Sequence, residues 1–372
     1  MNLLVILNDL DIGGAQNYTI SLMNEFVTMG HKVHLRVLSC KMPFKHRLSE
    51  QVEVKIWERK FKLDFSVLRN IRTEIKNEHF DGVITSYIIY QKLSTIFMQK
   101  LPVTIYPIHS TVELNRETYW LNYFSYKLKK RNEIYLTSID NQTLYLTQSY
   151  HLKNGFFYQI NNGVDTNKFT LPPGEFDRDP FLILQRINPM HKIILMIAGF
   201  REEKRHIDAI DAFKLLKEKR NNVSLVFVGD NRKDECGRLK KYAATKNLED
   251  IHFFTADIAG DVRNFYWSSD IFTLTSNKVE TFPISALEAM SSGLPCVLTN
   301  VGGAMNLISD NNNGIIVDPE NPVSISNGWG NCLEMISRTK SKQIREKIIS
   351  MYSIKNSANQ YLELIIKQNV DQ

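Results

Sequence analysis

The chain has 372 residues, of which 43% are hydrophobic and 23% charged, and this excludes a peptide ligand, a collagen-like repeat and a largely disordered protein. No stretch approaches the roughly 20 uncharged apolar residues that a bilayer-spanning helix needs, so we expect a cytoplasmic protein of about two domains. The four cysteines form no CxxC pair and the net charge is only +6, so neither a zinc knuckle nor a nucleic-acid partner is indicated.

Short apolar runs alternate with segments of helical spacing along the first half of the chain. The run Leu3–Leu7 precedes Gly13 and Gly14, after which Ile20, Met23 and Phe26 follow at helical intervals. This alternation predicts a parallel sheet covered by helices. The remaining predicted elements are strands over Lys32–Leu38, Gly82–Thr85 and Val103–Pro107 and a helix over Phe65–Lys76.

A second series of the same kind begins after a segment rich in proline, glycine and charge, Gly163–Pro189. We therefore predict two tandem Rossmann-like domains, residues 1–168 and 169–350, and a final helix over 351–372 that packs toward the first domain. Ligands of such sheets bind at the carboxyl ends of the strands, so a cleft between the domains is the expected site. The predicted strands of the second series are Lys192–Ala198, Val223–Val228, Ile251–Phe254, Ile271–Leu274 and Pro295–Leu298.

Two carboxylates, Glu280 and Glu288, flank the start of a predicted helix after the strand Ile271–Leu274. Backbone amides at a helix start attract an anion, and the two carboxylates can accept hydrogen bonds from the hydroxyls of a polyol such as a sugar. The plainer interpretation is a favourable charge at a helix terminus and a solvated glutamate. The spacing alone does not decide between them.

The segment 276–295 closely resembles the E-x7-E motif of the retaining glycosyltransferases of family 4, which have the GT-B fold. Further segments resemble this family's signatures in the family's order along the chain. Asn162–Phe169 resembles N-G-V-D-x-x-x-F, and Ala198–Lys204 resembles the loop G-R-x-x-x-E-K. The others are the glycine loop Ile12–Gln16 and the tail segments Val301–Gly303 and Asn313–Pro319.

The resemblance implies a role for each matching residue in the second domain. Lys204 would contact the donor's diphosphate, Glu288 the nucleotide ribose, and Glu280 the hydroxyls of the transferred sugar. It implies no metal requirement and no protein nucleophile. In the segment that follows Glu280, the further donor-binding positions would be Thr281, Phe282 and Ile284.

In the first domain, Gly13 and Gly14 would close the phosphate site, although two glycines after a strand are also typical of a plain tight turn. His109 matches the family's histidine beside the donor sugar, while a lone histidine at a strand end is more often structural. One departure concerns the family's phosphate-binding arginine, which is Gly199 here. Arg201 could supply that guanidinium, or it could be a solvated loop charge.

The implied activity is transfer of a hexose-type sugar from a nucleotide-diphosphate donor to a glycan or lipid-linked acceptor in cell-surface polysaccharide synthesis. The nucleotide that is usual in this family favours a UDP-sugar as this co-substrate, and the resemblance implies no other cofactor. A GT-B-fold nucleotide-sugar epimerase is the alternative, since it would bind the same donor without an acceptor.

The segment Tyr119–Arg131 combines large aromatic side chains with a basic cluster. Such a segment can lie against the anionic inner face of a cell membrane, as a lipid-linked acceptor would require. A packed helix with a solvated basic end is the plainer interpretation. Peripheral membrane contact is therefore an expectation that the sequence leaves open.

Overall fold

The computed structural model describes residues 1–11, 13–61, 64–96, 98, 100–109, 116–231, 234–255, 261–278, 280–308, 313–336 and 338–370. The chain divides into two compact units, Met1–Gly163 with Ile354–Gln372, and Val164–Ser353. The first division falls a few residues before the expected 168/169 boundary because the Val164 amide donates to the Tyr352 carbonyl at 2.8 Å, within the second unit. The second falls a few residues after the expected 350/351 boundary.

The N-terminal unit is a seven-stranded parallel sheet in the order β3-β2-β1-β4-β5-β6-β7. Its five inner strands are buried along most of their length, as a parallel sheet with helices on both sides requires, whereas its two edge strands are largely exposed. The elements are β1 Asn2–Leu7, α1 Gly14–Thr28, β2 Lys32–Val37, β3 Glu53–Ile56, α2 Phe65–Asn77, β4 Gly82–Thr85, α3 Ile88–Ser94, β5 Val103–Pro107, α4 Arg116–Lys127, β6 Glu133–Thr137, α5 Asp140–Ser149 and β7 Phe157–Gln159.

The C-terminal unit is a six-stranded parallel sheet in the order β10-β9-β8-β11-β12-β13. The elements are α6 Arg178–Leu184, β8 Lys192–Ile197, α7 His206–Lys217, β9 Val223–Gly229, α8 Glu235–Thr245, β10 Ile251–Thr255, α9 Arg263–Ser268, β11 Ile271–Leu274, α10 Ile284–Ser291, β12 Cys296–Thr299, α11 Ala304–Leu307, β13 Gly314–Val317, α12 Pro322–Glu334 and α13 Arg338–Tyr352.

The last helix, α14 (Ile354–Val370), belongs to the N-terminal unit and packs on α1 and β5. Its Tyr361 ring meets Phe26 edge to face, with ring centroids 6.4 Å apart. Gly82 leaves room for this helix, because a Cβ there would lie 2.6 Å from Cδ1 of Ile365. Glycine at position 82 therefore lets the chain end lie directly on the sheet.

The strand order reverses at one place in each sheet, between β1 and β4 in the N-terminal unit and between β8 and β11 in the C-terminal unit. Loops that leave two such strands in opposite directions open a crevice at their carboxyl ends, where open α/β sheets bind ligands. The predicted α/β class with two parallel sheets is confirmed. The two switch points are the expected positions of a ligand-binding site.

Among the described helices, none is long and apolar enough to cross a bilayer.

Candidate donor site in the C-terminal unit

The loop after β8 carries Lys204 in a short 3₁₀ turn, Glu202–Lys204. Hydrogen bonds connect this loop to the residues that follow β11. The Thr275 hydroxyl lies 3.0 Å from the carbonyl oxygens of both Lys204 and Arg205, and the Asn277 amide donates to the Glu203 carbonyl at 3.1 Å. The loops of the two strands at the switch point are therefore joined, and Lys204 is held at the carboxyl edge of the sheet.

Lys204 and Glu280 meet at this edge although 76 positions separate them in the chain. The Lys204 Nζ lies 2.5 Å from Oε2 of Glu280, and the Ser276 hydroxyl donates to the same oxygen at 3.2 Å. Both side chains are largely shielded from water, with 17% and 14% of their surface exposed. The Lys204–Glu280 ion pair therefore lies in partly desolvated surroundings at the switch point.

Gly302 and Gly303 contact the backbone of the loop that carries Glu280, which we call the Glu280 loop. Gly302 has a φ of +60°, and a Cβ at this residue would lie 1.5 Å from the Glu280 carbonyl oxygen, so only glycine fits. The Gly303 amide donates to the Thr281 carbonyl at 2.8 Å. The paired glycines after β12 therefore position the Glu280 loop through its backbone.

Glu288 lies in the body of α10 and is 7% exposed. The Tyr266 hydroxyl donates to its Oε2 at 2.8 Å and lies 3.2 Å from the Ser285 carbonyl oxygen. Burial raises the pKa of Tyr266 well above its ordinary value, so the phenol keeps its proton and remains a donor. Tyr266 therefore orients a carboxylate that would otherwise be costly to bury.

The three remaining predicted donor-binding positions surround the start of α10. Thr281 and Phe282 are buried, and the Phe282 ring packs on Tyr352 with centroids 5.4 Å apart. Ile284 is the first residue of the helix and is half-buried. Pro283 precedes the helix as its N-cap.

Arg201 is exposed and folds back over Gly199. A Cβ at Gly199 would lie 3.2 Å from Nε of Arg201 and 3.6 Å from its Cζ. The guanidinium therefore lies on the face of the loop from which a side chain at position 199 would project. Occupation of that space by Arg201 is an observation that the sequence alone could not supply.

In the N-terminal unit, His109 lines a small cavity at that sheet's switch point. The ends of β1, β4 and β5 contribute Leu7, Thr85 and Pro107, and Tyr361 of α14 also lines it. Burial lowers the pKa of His109 to about 4, so its imidazole is neutral at pH 7. A neutral imidazole can either donate or accept a hydrogen bond within this cavity.

Gly13 and Gly14 lie where the first strand passes into α1, Gly13 as its N-cap and Gly14 as its first residue. Neither is among the described residues that line the His109 cavity. Gly13 has extended backbone, and the Gln16 side chain folds across it and donates to Oδ1 of Asp9 at 3.1 Å. The missing Cβ thus makes room for Gln16, which the sequence analysis did not consider.

The structure brings Lys204 and Glu280 into contact and places Glu288 on the helix that follows the Glu280 loop. Four supporting residues received no role in the sequence analysis: Thr275, Ser276, Tyr266 and Gly302. The signal for Ser276 and Gly302 was their position inside family-like segments, whereas nothing in the local sequence marks Tyr266 or Thr275.

Residues 12–168 match the model described as Glycosyltransferase Family 4, and residues 183–351 match the model described as Glycosyl transferases group 1. The chain belongs to glycosyltransferase family 4. The resemblance drawn from the motifs is therefore confirmed.

Individual relatives in this family are distant. Mannosylfructose-phosphate synthase of Agrobacterium fabrum is 32% identical over 181 residues, which are 47% of this chain and 39% of that protein. The chain spans between 39% and 53% of the length of the first three curated relatives that it matches.

Solved structures match over the whole chain. A glycosyltransferase from Rickettsia africae superposes with a TM-score of 0.85 at 19% identity, covering 100% of this chain and 99% of its own. The Anabaena protein HepE, solved with UDP-glucose, gives a TM-score of 0.84 at 16% identity, covering 99% of this chain and 100% of its own. At this identity the likeness establishes the GT-B fold.

Proposed function

We propose that the protein is a retaining, metal-independent glycosyltransferase that moves a hexose-type sugar from a UDP-sugar to a glycan or lipid-linked saccharide in cell-surface polysaccharide synthesis. The observation that carries the proposal is the contact of Lys204 with Glu280, at 2.5 Å, at the switch point of the C-terminal sheet. In this proposal Lys204 is the cation that binds the diphosphate, and Glu280 beside it is the carboxylate that binds sugar hydroxyls. Family membership and the UDP-glucose complex of HepE support the donor class.

The donor would span the edge of the sheet from Lys204 to α10. The ammonium of Lys204 and the guanidinium of Arg201 would bind the diphosphate, the latter through two parallel hydrogen bonds. Glu288, oriented by Tyr266, would accept hydrogen bonds from the ribose hydroxyls. Glu280 would do the same for hydroxyls of the transferred sugar.

The proposed contribution of these residues to catalysis is electrostatic. When the bond between the sugar's anomeric carbon and the β-phosphate oxygen breaks, its electron pair stays on the phosphate. Lys204 and Arg201 would stabilise this growing charge, which is the interaction that lowers the barrier. An acceptor hydroxyl that attacks from the same face lies beside the departing phosphate oxygen, which can take its proton, so retention requires no protein nucleophile.

His109 suits contact with a sugar hydroxyl. Its imidazole is neutral at pH 7 because burial lowers its pKa to about 4, so it would hydrogen-bond a hydroxyl without adding charge. The name of the relative from Agrobacterium describes formation of a phosphorylated disaccharide, which supports a saccharide acceptor.

Thermal shift with UDP, GDP, ADP and their sugar conjugates tests the donor class, since a ligand bound only by the folded state raises the melting temperature. We expect a shift with UDP that 2′-deoxy-UDP reproduces only at higher concentration. Loss of a hydrogen bond to a carboxylate costs about 1.5–3 kcal/mol, so the two affinities should differ by roughly 10- to 150-fold. In Glu288→Gln this difference should shrink severalfold.

The exposed Glu334 at the end of α12 provides the matched control, since Glu334→Gln removes one carboxylate of the same unit and should change neither affinity. A shift with no nucleotide would contradict the proposal. A new sugar nucleotide formed from the donor without any acceptor would identify the epimerase instead.

Exchanging the residues at positions 199 and 201 tests whether Arg201 replaces the family arginine. Arg201→Ala should lower kcat/KM by about tenfold or more, because one charge-assisted contact to the diphosphate is lost. Gly199→Arg alone should also lower activity, because its Cβ would enter the space that the Arg201 guanidinium fills. The double variant Gly199→Arg/Arg201→Ala should regain most of the activity that Arg201→Ala loses.

Steady-state kinetics of the three variants give the result. Arg238→Ala, which removes an exposed arginine from α8, is the matched control and should behave like the parent enzyme. Wild-type kinetics in Arg201→Ala would make Arg201 a solvated loop charge.

A further inference from the structure

A histidine of β2 is buried beside the end of α2 in the N-terminal unit. His34 is the third residue of β2 and pairs in register with Glu53, the first residue of β3. Its side chain is only 1% exposed, and its ring meets Phe80 edge to face with centroids 5.4 Å apart. His34 therefore lies toward the amino ends of these strands, away from the carboxyl ends where a ligand of this sheet is expected.

The Nε2 atom of His34 is buried and has no hydrogen-bond partner among the described residues. Oε2 of Glu78, the residue that follows α2, lies 3.7 Å away, which is too far for a hydrogen bond. Buried polar atoms without a partner are uncommon in native proteins, because each loses its contacts with water. This atom therefore points to a bound water or ion.

The other ring nitrogen of His34 shows which nitrogen can bind an ion. Nδ1 lies 3.0 Å from Oε2 of Glu53 and 3.4 Å from Nη2 of Arg36. The carboxylate is the closer of the two and can only accept a hydrogen bond, so the ring proton belongs on Nδ1. The lone pair of Nε2 is then available to a metal ion. A carboxylate beside the opposite nitrogen is a usual companion of a metal-binding histidine.

Two carboxylates complete a possible set of ligands. One oxygen or nitrogen atom from each of His34, Glu74 and Glu78 lies within 4.8 Å of the other two. Two ligands of a tetrahedral Zn²⁺ ion, with bonds of about 2.0–2.1 Å, are about 3.3 Å apart. The 3.7 Å between Nε2 and the Glu78 carboxylate is therefore closer to the spacing of two metal ligands than to that of a hydrogen bond.

The basic side chains nearby leave carboxylate oxygens for an ion. Arg36 donates to Oε1 of Glu74 at 2.8 Å, and the Lys55 ammonium lies 3.6 Å from the same oxygen, so Oε2 of Glu74 stays available. Within the part of the chain that the structure describes, no lysine or arginine contacts the Glu78 carboxylate. With Glu53, the cluster holds three carboxylates against these two cations and is net negative.

We propose that His34, Glu74 and Glu78 bind a Zn²⁺ ion, with water in the fourth position. An imidazole combined with carboxylate oxygens suits Zn²⁺ and similar transition-metal ions, whereas Mg²⁺ and Ca²⁺ prefer oxygen ligands alone. The ion would join β2 to the end of α2 and so stabilise the N-terminal unit. Because the site is away from the carboxyl ends of the strands, sugar transfer should not require it.

Calorimetry with ZnCl₂ tests the site in the full chain, after treatment with a chelator that is then removed. We expect one Zn²⁺ ion bound per chain, no binding of Mg²⁺ from MgCl₂, and a higher melting temperature with Zn²⁺. CoCl₂ should give the visible absorption of a four-coordinate Co²⁺ complex.

Glu78→Gln should weaken zinc binding by at least about tenfold, since even a hydrogen-bond partner of a metal ligand is worth that much. Glu78 is 36% exposed, so this variant should keep the melting temperature of the ion-free parent even if the buried His34→Gln fails to fold. Two matched controls should bind zinc as the parent does. His79→Ala removes the neighbouring histidine, which is 94% exposed, and Glu50→Gln removes an exposed carboxylate of the same unit.

Several results would overturn the proposal. Equal zinc affinity in the parent and Glu78→Gln would exclude this carboxylate as a ligand, and loss of binding in His79→Ala or in Cys40→Ser would place the ion at one of those exposed side chains. Absence of zinc binding would make the cluster an ion-pair network alone. Donor binding and sugar transfer should be unchanged in Glu78→Gln, so this inference and the proposed function fail separately.

Discussion

Lys204→Ala should lower kcat for sugar transfer by about 10²- to 10³-fold, the usual effect of removing one preorganised group that stabilises transition-state charge. The effect on donor affinity should be smaller, because the charge on the β-phosphate grows as the glycosidic bond breaks and the ammonium contributes most at that point. Steady-state kinetics with saturating acceptor separate the two parameters.

Lys214→Ala is the matched control for this variant, since Lys214 is an exposed lysine on α7 in the same unit. Its kinetics should equal those of the parent. Lys204→Arg should retain part of the activity, because it keeps the positive charge while changing its shape. If kcat in Lys204→Ala stays near that of the parent, the diphosphate site lies elsewhere.

Glu280→Gln should raise the affinity for UDP and lower the rate of transfer from a UDP-sugar. Oε2 of Glu280 accepts a hydrogen bond from the Lys204 ammonium at 2.5 Å, so a β-phosphate that binds Lys204 must compete with this carboxylate. Glutamine removes this competition, and we expect UDP to bind about fivefold more tightly. Transfer from the UDP-sugar should slow by at least about tenfold, because a neutral amide binds sugar hydroxyls less strongly than a carboxylate does.

Calorimetry with UDP and kinetics with the UDP-sugar measure the two effects. Glu202→Gln is the matched control, because it removes an exposed carboxylate two residues from Lys204 and so tests for a general change in local charge. Equal UDP affinity in the parent and Glu280→Gln would show that the ion pair does not compete with the phosphate. Equal transfer rates would remove Glu280 from the sugar site.

Continuous apolar strands were the most predictable part of the fold. The strands β4, β5 and β11 have the predicted bounds, because a strand buried on both faces must be apolar along its length and turn residues end it sharply. The edge strand β3 escaped prediction because its residues, Glu53–Ile56, are mostly exposed and alternate charged with apolar side chains. The final helix α14 begins at Ile354, three residues after its predicted start at position 351.

The site was predictable in its residue types and not in its contacts. Family-like segments located Lys204, Glu280 and Glu288 in the sequence. They could not reveal that Lys204 and Glu280 form an ion pair, since local spacing carries no information across 76 positions. Nor could they reveal that Arg201 lies over Gly199, because that depends on the path of the loop.

By itself, the sequence determined the α/β class, the number of sheets and the family, because apolar periodicity and short motifs are local properties of a chain. Only the tertiary structure decided which side chains meet. It showed that Tyr266 hydrogen-bonds to Glu288 and that Gly302 packs against the Glu280 carbonyl. It also showed that Trp120 and Phe124 of α4 are exposed. These facts depend on the packing of segments that are far apart in sequence, where strand order and backbone path set every distance.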